Sequence, residues 1–156
     1  MNTDTHIEWD DRYLIGHRGI DDTHAGFISL LDAMLHAAPE AVPAMMQTLA
    51  RHVEEHFALE TRLMEQYAFP ARECHVEEHD KVLASVHEVN ALAAAGNTDV
   101  AVELAQALAD WFPGHSDYMD SALAAWIAKK TAGGAPLVLR RMMSQAPRAS
   151  LASPLN

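Results

Sequence analysis

Apolar residues recur at spacings of three and four along most of the chain, which is the pattern of helices that bury one face. The pattern is clearest in the last third of the chain, where it includes Val100, Leu104, Leu108, Trp111 and Phe112. No segment alternates apolar and polar residues in the way that a half-buried strand requires. The sequence therefore predicts an all-α protein.

Prolines, glycines and helix-capping residues divide this pattern into four predicted helices. They begin after the D-D-T of residues 21–23, at Pro43, at Pro70, and after Asn97 or Thr98. They end near the A-A-P of residues 37–39, at about Tyr67, at the A-G-N of residues 95–97, and at Lys129 or Lys130 before Gly133-Gly134. Four helices joined by short loops predict an antiparallel up-down four-helix bundle.

Two segments of different composition flank the predicted helices. An N-terminal arm runs to about Ile20, and the bundle domain with this arm covers residues 1–130. Residues 131–156 are rich in Ala, Pro and Ser and contain three arginines but no acidic residue. We expect a tail of this composition to be mobile.

Composition and charge narrow the possible partners. The 156 residues suit a single domain, and 22 acidic against 11 basic residues give a net charge of −11. This charge argues against nucleic acid or an anionic membrane as the main partner. No stretch is apolar enough for a transmembrane helix, and the N-terminus lacks the features of a signal peptide. The single cysteine, Cys74, cannot form an intrachain disulfide, so we expect a cytoplasmic protein in which Cys74 is a small packing residue.

Histidine is unusually frequent, with ten in the chain, and every predicted helix carries at least one that could bind a metal. Pairs four residues apart share a helix face. The candidate ligands, in chain order, are His24, His56, Glu60, His75, His79, His115 and Asp120. A packed core does not accept five imidazoles and two carboxylates unless something satisfies them. A metal site in the bundle core is therefore predicted.

The ligand types and their number indicate which metal. Imidazole mixed with carboxylate favours non-haem iron, and seven ligands are too many for one ion but suit two. In such a site, Glu60 and Asp120 would each bridge the irons, together with an oxo or hydroxo group from solvent. One iron would take His75, His79 and His115 and be six-coordinate. The other would take His24 and His56, be five-coordinate, and keep one open position for a small ligand.

Two other kinds of metal site are excluded by the motifs. The zinc protease motif needs H-E-x-x-H, but the chain has H-V-E-E-H at residues 75–79. The carboxylate-rich di-iron site of ferritin-like proteins needs E-x-x-H, which does not occur in this sequence.

Four stretches together resemble the hemerythrin family, specifically its single-domain bacterial members. They are I-D-D-T-H at 20–24, H-F-A-L-E-T-R-L-M at 56–64, F-P-A-R-E-C-H-V-E-E-H at 69–79, and W-F-P-G-H-S-D-Y-M-D at 111–120. The resemblance covers about residues 7–130 and fills all seven ligand positions with the expected residue types. It implies a di-iron centre that binds O2 at the five-coordinate iron.

The resemblance also implies which residues line the O2 pocket. By position these are Phe27, Phe57, Trp111, Phe112 and Ser116, of which four are large and apolar. Ser116 stands where the family usually has Ile or Leu. His52 shares a helix face with His56 but is not a family ligand, so we expect a partly exposed histidine near one end of the site.

Asp120 does not fit an ideal helix. It lies five residues after His115, which places it about 140° around a regular helix rather than on the same face. A local π-turn would bring the two side chains closer, and Pro113 removes a helical hydrogen bond nearby. We therefore expect the fourth helix to bend or loosen between Trp111 and Asp120.

These observations predict a protein that binds O2 reversibly, for storage, delivery or sensing, and is not an enzyme. Its expected ligands are O2 and small anions, and a redox partner or O2 acceptor would act with it. Two alternatives stay open. One is a di-iron enzyme acting on peroxide or nitric oxide. The other is a partner-binding module in which the iron reports O2 or iron levels and the basic tail makes the contact.

Overall fold

The computed structural model describes residues 6–131, and every regular element in that range is helical. The helices are α1 (Arg18–Leu35), α2 (Val42–Gln66), α3 (Arg72–Ala94), α4 (Asp99–His115) and α5 (Ser121–Thr131). Short 3-10 helices occupy Asp11–Tyr13 and Pro39–Ala41, and a π-helical turn, Ser116–Asp120, joins α4 to α5. The predicted all-α class is confirmed. The expected mobile tail and the helix stop at Gly133-Gly134 lie outside the described residues.

The helices pack as a bundle with two apolar clusters. Helix α2 packs against α1 and α3, and α4 packs against the same two helices. The larger cluster includes Phe27, Phe57 and Phe112, whereas the smaller one includes Ile20, Met64 and Leu123. A buried polar residue lies between the two clusters on each of three helical segments. These residues are His24 on α1, Glu60 on α2, and Asp120 in the π-helical turn between α4 and α5.

The start of α1 differs from the prediction. The helix begins at Arg18, and His17 is its N-cap, because the His17 Nδ1 accepts a hydrogen bond from the Ile20 N–H at 3.2 Å. The D-D-T sequence was therefore wrongly assigned to the cap and lies inside the helix. Its first residue, Asp21, instead reaches back to the arm, where its carboxylate accepts bonds from Ile15 N–H at 2.9 Å and Gly16 N–H at 3.2 Å.

The other helix boundaries agree with the prediction to within about two residues. Helix α2 begins one residue before Pro43, and α3 begins two residues after Pro70. The predicted packing role of Cys74 is wrong, because its side chain is exposed. Consecutive residues of a helix point about 100° apart, so Cys74 faces solvent where His75 faces the core.

Within residues 6–131, no helix has both the length and the apolar character needed to cross a bilayer.

We expect Asp21→Ala to lower the free energy of unfolding by about 1–3 kcal/mol, because the Ile15 and Gly16 amides lose their buried acceptor. Asp22→Ala is the matched control, since Asp22 is the neighbouring acid and is exposed. It should change stability by no more than about 0.5 kcal/mol. Urea unfolding of the two variants and the unmodified chain measures both. Equal unfolding midpoints for the two variants would show that the Asp21 contacts do not stabilise the fold.

Candidate metal centre

All seven predicted ligands meet in the middle of the bundle. Each of the four packed helical segments contributes, and none of the seven residues is more than 7% exposed. Two apolar clusters enclose this polar layer, which leaves its side chains few partners besides one another, a bound ion and the Thr23 hydroxyl. The members are His24 from α1, His56 and Glu60 from α2, His75 and His79 from α3, His115 from α4 and Asp120 from the π-turn.

The imidazoles form two groups around the two carboxylates. The three-histidine group comprises His75, His79 and His115, and the two-histidine group comprises His24 and His56. Within each group, ligand atoms of the histidines and of both carboxylates lie within 4.8 Å of one another. Both sets are therefore compact enough to hold a metal ion.

Glu60 contacts both groups through different oxygens. Its Oε1 lies 3.5 Å from the Nε2 of His56 and 3.9 Å from that of His24. Its Oε2 lies 3.0 Å from the Nε2 of His79 and 3.5 Å from that of His75. The carboxylate can therefore give one oxygen to each of two cations.

Asp120 divides its oxygens in the same way. Its Oδ2 lies 3.0 Å from the Nε2 of His24, in the two-histidine group. Its Oδ1 lies 3.0 Å from the Nε2 of His75 and 3.1 Å from that of His115. Two carboxylates that span both groups form the arrangement needed to bridge a pair of ions.

Most of the donor atoms lack hydrogen-bond partners among one another. Buried donor atoms in this state indicate a site that can hold metal ions. Within residues 6–131, both oxygens of Glu60 and of Asp120 are buried without a hydrogen-bond partner, as are both ring nitrogens of His24 and His75. The Nε2 atoms of His79 and His115 face each other at 3.2 Å. Such atoms converge on common points rather than forming aligned donor and acceptor pairs. Bound cations would satisfy them, so the site fits two metal ions.

The charges of the site also favour cations. Burial alone would raise the pKa of Asp120, but the imidazoles of His115, His24 and His75 outweigh it and hold that pKa well below its usual range. Burial lowers the pKa of His56 to about 4. Burial would also lower the pKa of His75. The hydrogen bonds and negative charges of Asp120 and Glu60 outweigh that effect and raise the pKa of His75 to about 9. A cation would therefore displace a proton from His75 on binding, and acid would oppose it.

The π-turn explains how Asp120 reaches the site. The Ser121 N–H donates to the Ser116 carbonyl five residues earlier, as in a π-helix. This wider turn brings the Asp120 carboxylate to the same side as His115, although the two residues are five apart. The predicted loosening between Trp111 and Asp120 is confirmed in this form, and Pro113 lies inside α4 just before the turn.

Thr23 orients His56 from outside the polar layer. Its Oγ1 donates to the Ile20 carbonyl at 2.8 Å and accepts from the Nδ1 of His56 at 2.7 Å. Because the hydroxyl proton is already used, His56 must carry its own proton on Nδ1. Its Nε2 lone pair is then directed to the two-histidine group.

His52 is partly exposed, as predicted, and it contacts the same threonine. Its Nε2 lies 2.9 Å from the Thr23 carbonyl oxygen, so two histidines one turn apart on α2 both bond to Thr23. Gly26 leaves room for this contact, since a Cβ there would lie 3.0 Å from the His52 ring. The roles of Thr23 and Gly26 could not be predicted from spacing, because the contact joins two helices.

A small cavity of about 10 Å³ adjoins the polar layer. It touches both imidazoles of the two-histidine group and neither His75 nor His79. Val53 and Val82 also line it and were missed, although each lies three or four residues from a predicted site residue on the same helix face. The full lining is His24, Phe27, Val53, His56, Phe57, Val82, Trp111, Phe112, His115 and Asp120.

Aromatic rings of the cavity wall pack directly on imidazoles of the three-histidine group. Phe57 stacks on His79 with ring centroids 3.7 Å apart, and Trp111 stacks on His115 at 4.3 Å. The Trp111 Nε1–H donates to Glu78 Oε1 at 2.9 Å, which fixes this ring. These contacts thus fix the aromatic rings of the wall and the candidate ligands relative to each other.

Ser116 does not line this cavity, and its place in an O2 pocket stays a prediction. It is buried, and its hydroxyl has no hydrogen-bond partner in the described part of the chain. The other four predicted pocket residues do line the cavity.

Comparison with known proteins supports a cation-binding site in this chain. The family model described as "Hemerythrin HHE cation binding domain" matches residues 16–127. The chain is 36% identical over 124 residues to a Bacteriohemerythrin of Ralstonia nicotianae, covering 80% of this chain and 90% of that protein. It is 31% identical over 123 residues to one of Stenotrophomonas maltophilia, covering 76% and 79%. No solved structure matches the chain significantly.

We expect Thr23→Val to weaken metal binding by the two-histidine group about 10–100-fold, the usual effect of losing a hydrogen bond that orients a ligand. Valine keeps the shape of threonine but removes the acceptor for His56 Nδ1–H. Thr23→Ser is the matched control, because it keeps the hydroxyl. Competition with a chelator, followed by metal analysis, measures the retained iron. Equal retention in the two variants would show that the hydroxyl does not hold His56.

Proposed function

This chain belongs to the hemerythrin family, and from that premise we propose that it binds O2 reversibly for storage, delivery or sensing. The family implies a di-iron centre, and the buried histidine and carboxylate cluster can hold it. We infer that this centre binds O2 and does not catalyse a reaction.

We propose that the seven clustered side chains hold the two irons. His75, His79 and His115 would bind one iron, and His24 and His56 the other, with Glu60 and Asp120 bridging. The division of carboxylate oxygens between the two groups supports this assignment. Since both groups share the same bridges, the two-histidine group has one protein ligand fewer. A small molecule could then bind on that side.

The cavity is the observation that carries the proposal of O2 binding. It touches both imidazoles of the two-histidine group, where a ligand position is left, and its volume of about 10 Å³ suits only a very small molecule. Phe27, Phe57 and Phe112 form much of its wall. An anion would lose its water on entering so apolar a space, whereas O2 has little hydration to lose. O2 is therefore the favoured ligand.

Each part of the chain has a separate role in this proposal. When bound, the di-iron centre supplies the electrons for reversible O2 binding. The apolar wall excludes water, and Thr23 keeps a proton on His56 Nδ1. Among the cavity-lining residues of the described chain, the polar groups are three imidazoles and one carboxylate, which are proposed iron ligands, and the Trp111 indole, whose N–H already donates to Glu78. The lining therefore offers no separate proton donor, which favours a carrier over an enzyme that must deliver protons.

We further propose that the helices run up and down in antiparallel order. The helices that follow one another are joined by short connections and pack side by side, which supports this topology. The iron-binding domain would end at about residue 130, with residues 131–156 as a separate tail. A single cysteine supports a cytoplasmic location, where thiols stay reduced.

We expect the purified protein to contain two irons per chain, and His79→Ala to lose iron because its three-histidine group becomes a pair. His87→Ala is the control: His87 is an exposed histidine whose Nε2 lies 2.6 Å from Glu54 Oε1, and the variant should keep both irons. Metal analysis of the three proteins measures this. One iron in the unmodified chain, or equal iron in both variants, would contradict the proposed ligands.

We expect the reduced protein to gain a visible charge-transfer band on exposure to air and to lose it on evacuation, over repeated cycles. Reversibility follows if the cavity admits O2 but little water. Spectra recorded through several cycles test this, and peroxide and nitric oxide electrodes run alongside test for turnover. Steady consumption of either compound, without a reversible band, would favour a di-iron enzyme instead.

A further inference from the structure

A second group of metal-ligating side chains lies away from the di-iron centre. His6 on the N-terminal arm meets Asp32 and His36 at the C-terminal end of α1, and each residue offers a ligand atom within 4.8 Å of the others. We call these three residues the arm cluster. We propose that the arm cluster binds a divalent transition-metal cation such as Zn²⁺, which fastens the arm to α1.

Asp32 is the centre of the arm cluster. Its Oδ1 accepts the Ile7 N–H at 2.8 Å, and its Oδ2 lies 3.2 Å from His6 Nδ1. The Nδ1 of His36, one turn further along α1, lies 3.5 Å from Asp32 Oδ1 and 2.8 Å from the Asp32 carbonyl oxygen. The carboxylate is therefore held by the arm on one side and faces an imidazole on the other.

The two imidazoles are already side by side. The rings of His6 and His36 stack with centroids 4.1 Å apart and an interplanar angle of 15°. The ligand atoms already lie within 4.8 Å of one another, and rotation of the two stacked rings would turn one nitrogen of each to a common ion. Because the three ligands are gathered before an ion binds, less conformational entropy is lost on binding.

The electrostatic setting also favours a cation. The arm cluster lies at the C-terminal end of α1, where the helix dipole is negative, and the whole chain carries a net charge of −11. Partial burial would raise the pKa of Asp32, but bonds from Ile7 N–H and His6 lower it, so the carboxylate is charged at neutral pH.

The donor set indicates the class of metal. Two imidazoles and one carboxylate suit zinc and its neighbours among the transition metals better than Ca²⁺ or Mg²⁺, which prefer oxygen ligands. Three protein ligands leave at least one position for water. The binding residues are largely exposed, so the ion would exchange with solvent readily.

The arm cluster is separate from the di-iron centre. His24 and His36 are twelve residues apart on α1, which corresponds to about 18 Å along the helix axis. The two sites are nevertheless linked through the arm. Tyr13 lies in the arm, and its ring is 5.7 Å from Phe112, which lines the cavity. An ion in the arm cluster would hold in place the segment that supports this part of the wall.

The test is a calorimetric titration of ZnCl₂ into the iron-loaded, full-length chain. We expect one zinc per chain in addition to the irons, with visible absorption showing that the irons stay bound. His6→Gln and His36→Gln should each weaken this zinc at least tenfold, because each removes a direct ligand. His87→Gln is the matched control, since His87 is an exposed histidine paired with a single carboxylate, Glu54.

Hydrogen exchange of the arm amides provides a second measurement. Zinc should slow exchange at residues 7–13 in the unmodified chain but not in His36→Gln. Failure of the unmodified chain to bind the additional zinc, or equal zinc affinity in His36→Gln and His87→Gln, overturns the proposal. Neither measurement depends on O2. A negative result would therefore overturn the arm-cluster proposal and would not affect the function proposed for the di-iron centre.

Discussion

The packing of this molecule depends on how the polar atoms of its buried polar layer are satisfied. Five imidazoles and two carboxylates lie between two apolar clusters, and most of their polar atoms have no hydrogen-bond partner within residues 6–131. Leaving such groups unsatisfied would cost several kcal/mol, a large part of the stability of a domain this size. Metal ions remove that cost. Folding and metal binding are therefore two parts of one equilibrium, and the helices that meet at the layer depend on its occupant.

Much of the layer could be predicted from the sequence because its histidines and carboxylates follow helical spacing. Glu60 lies four residues after His56, and His79 lies four after His75, so each pair shares a face wherever its helix packs. The fold followed from the same spacing and from the position of the prolines. Asp120 was the exception, and its misfit to an ideal helix was itself a sign of the π-turn.

The rest depended on contacts between segments that are distant in sequence. Spacing could not show that Asp21 would bond to the arm rather than cap α1, or that Thr23 would hold two histidines of α2. The resemblance places Ser116 in the O2 pocket, whereas the cavity in the structure is lined by His115 and not by Ser116. Cys74 was predicted to be a small packing residue from its position on the helix alone, and it is exposed. In each case, the orientation of a helix against its neighbours decided the outcome.

The π-turn also links the polar layer to the packing of α5. Leu123 and Ile127 of α5 are buried, and they lie beyond the one extra residue that the wide turn accommodates. If residues 116–120 took ordinary α-helical geometry instead, the extra residue would rotate α5 by about 100° relative to α4. The Asp120 carboxylate and the apolar face of α5 would then leave the core together. The wide turn is thus under a double constraint, because one feature of the backbone places both a candidate metal ligand and a buried helix face.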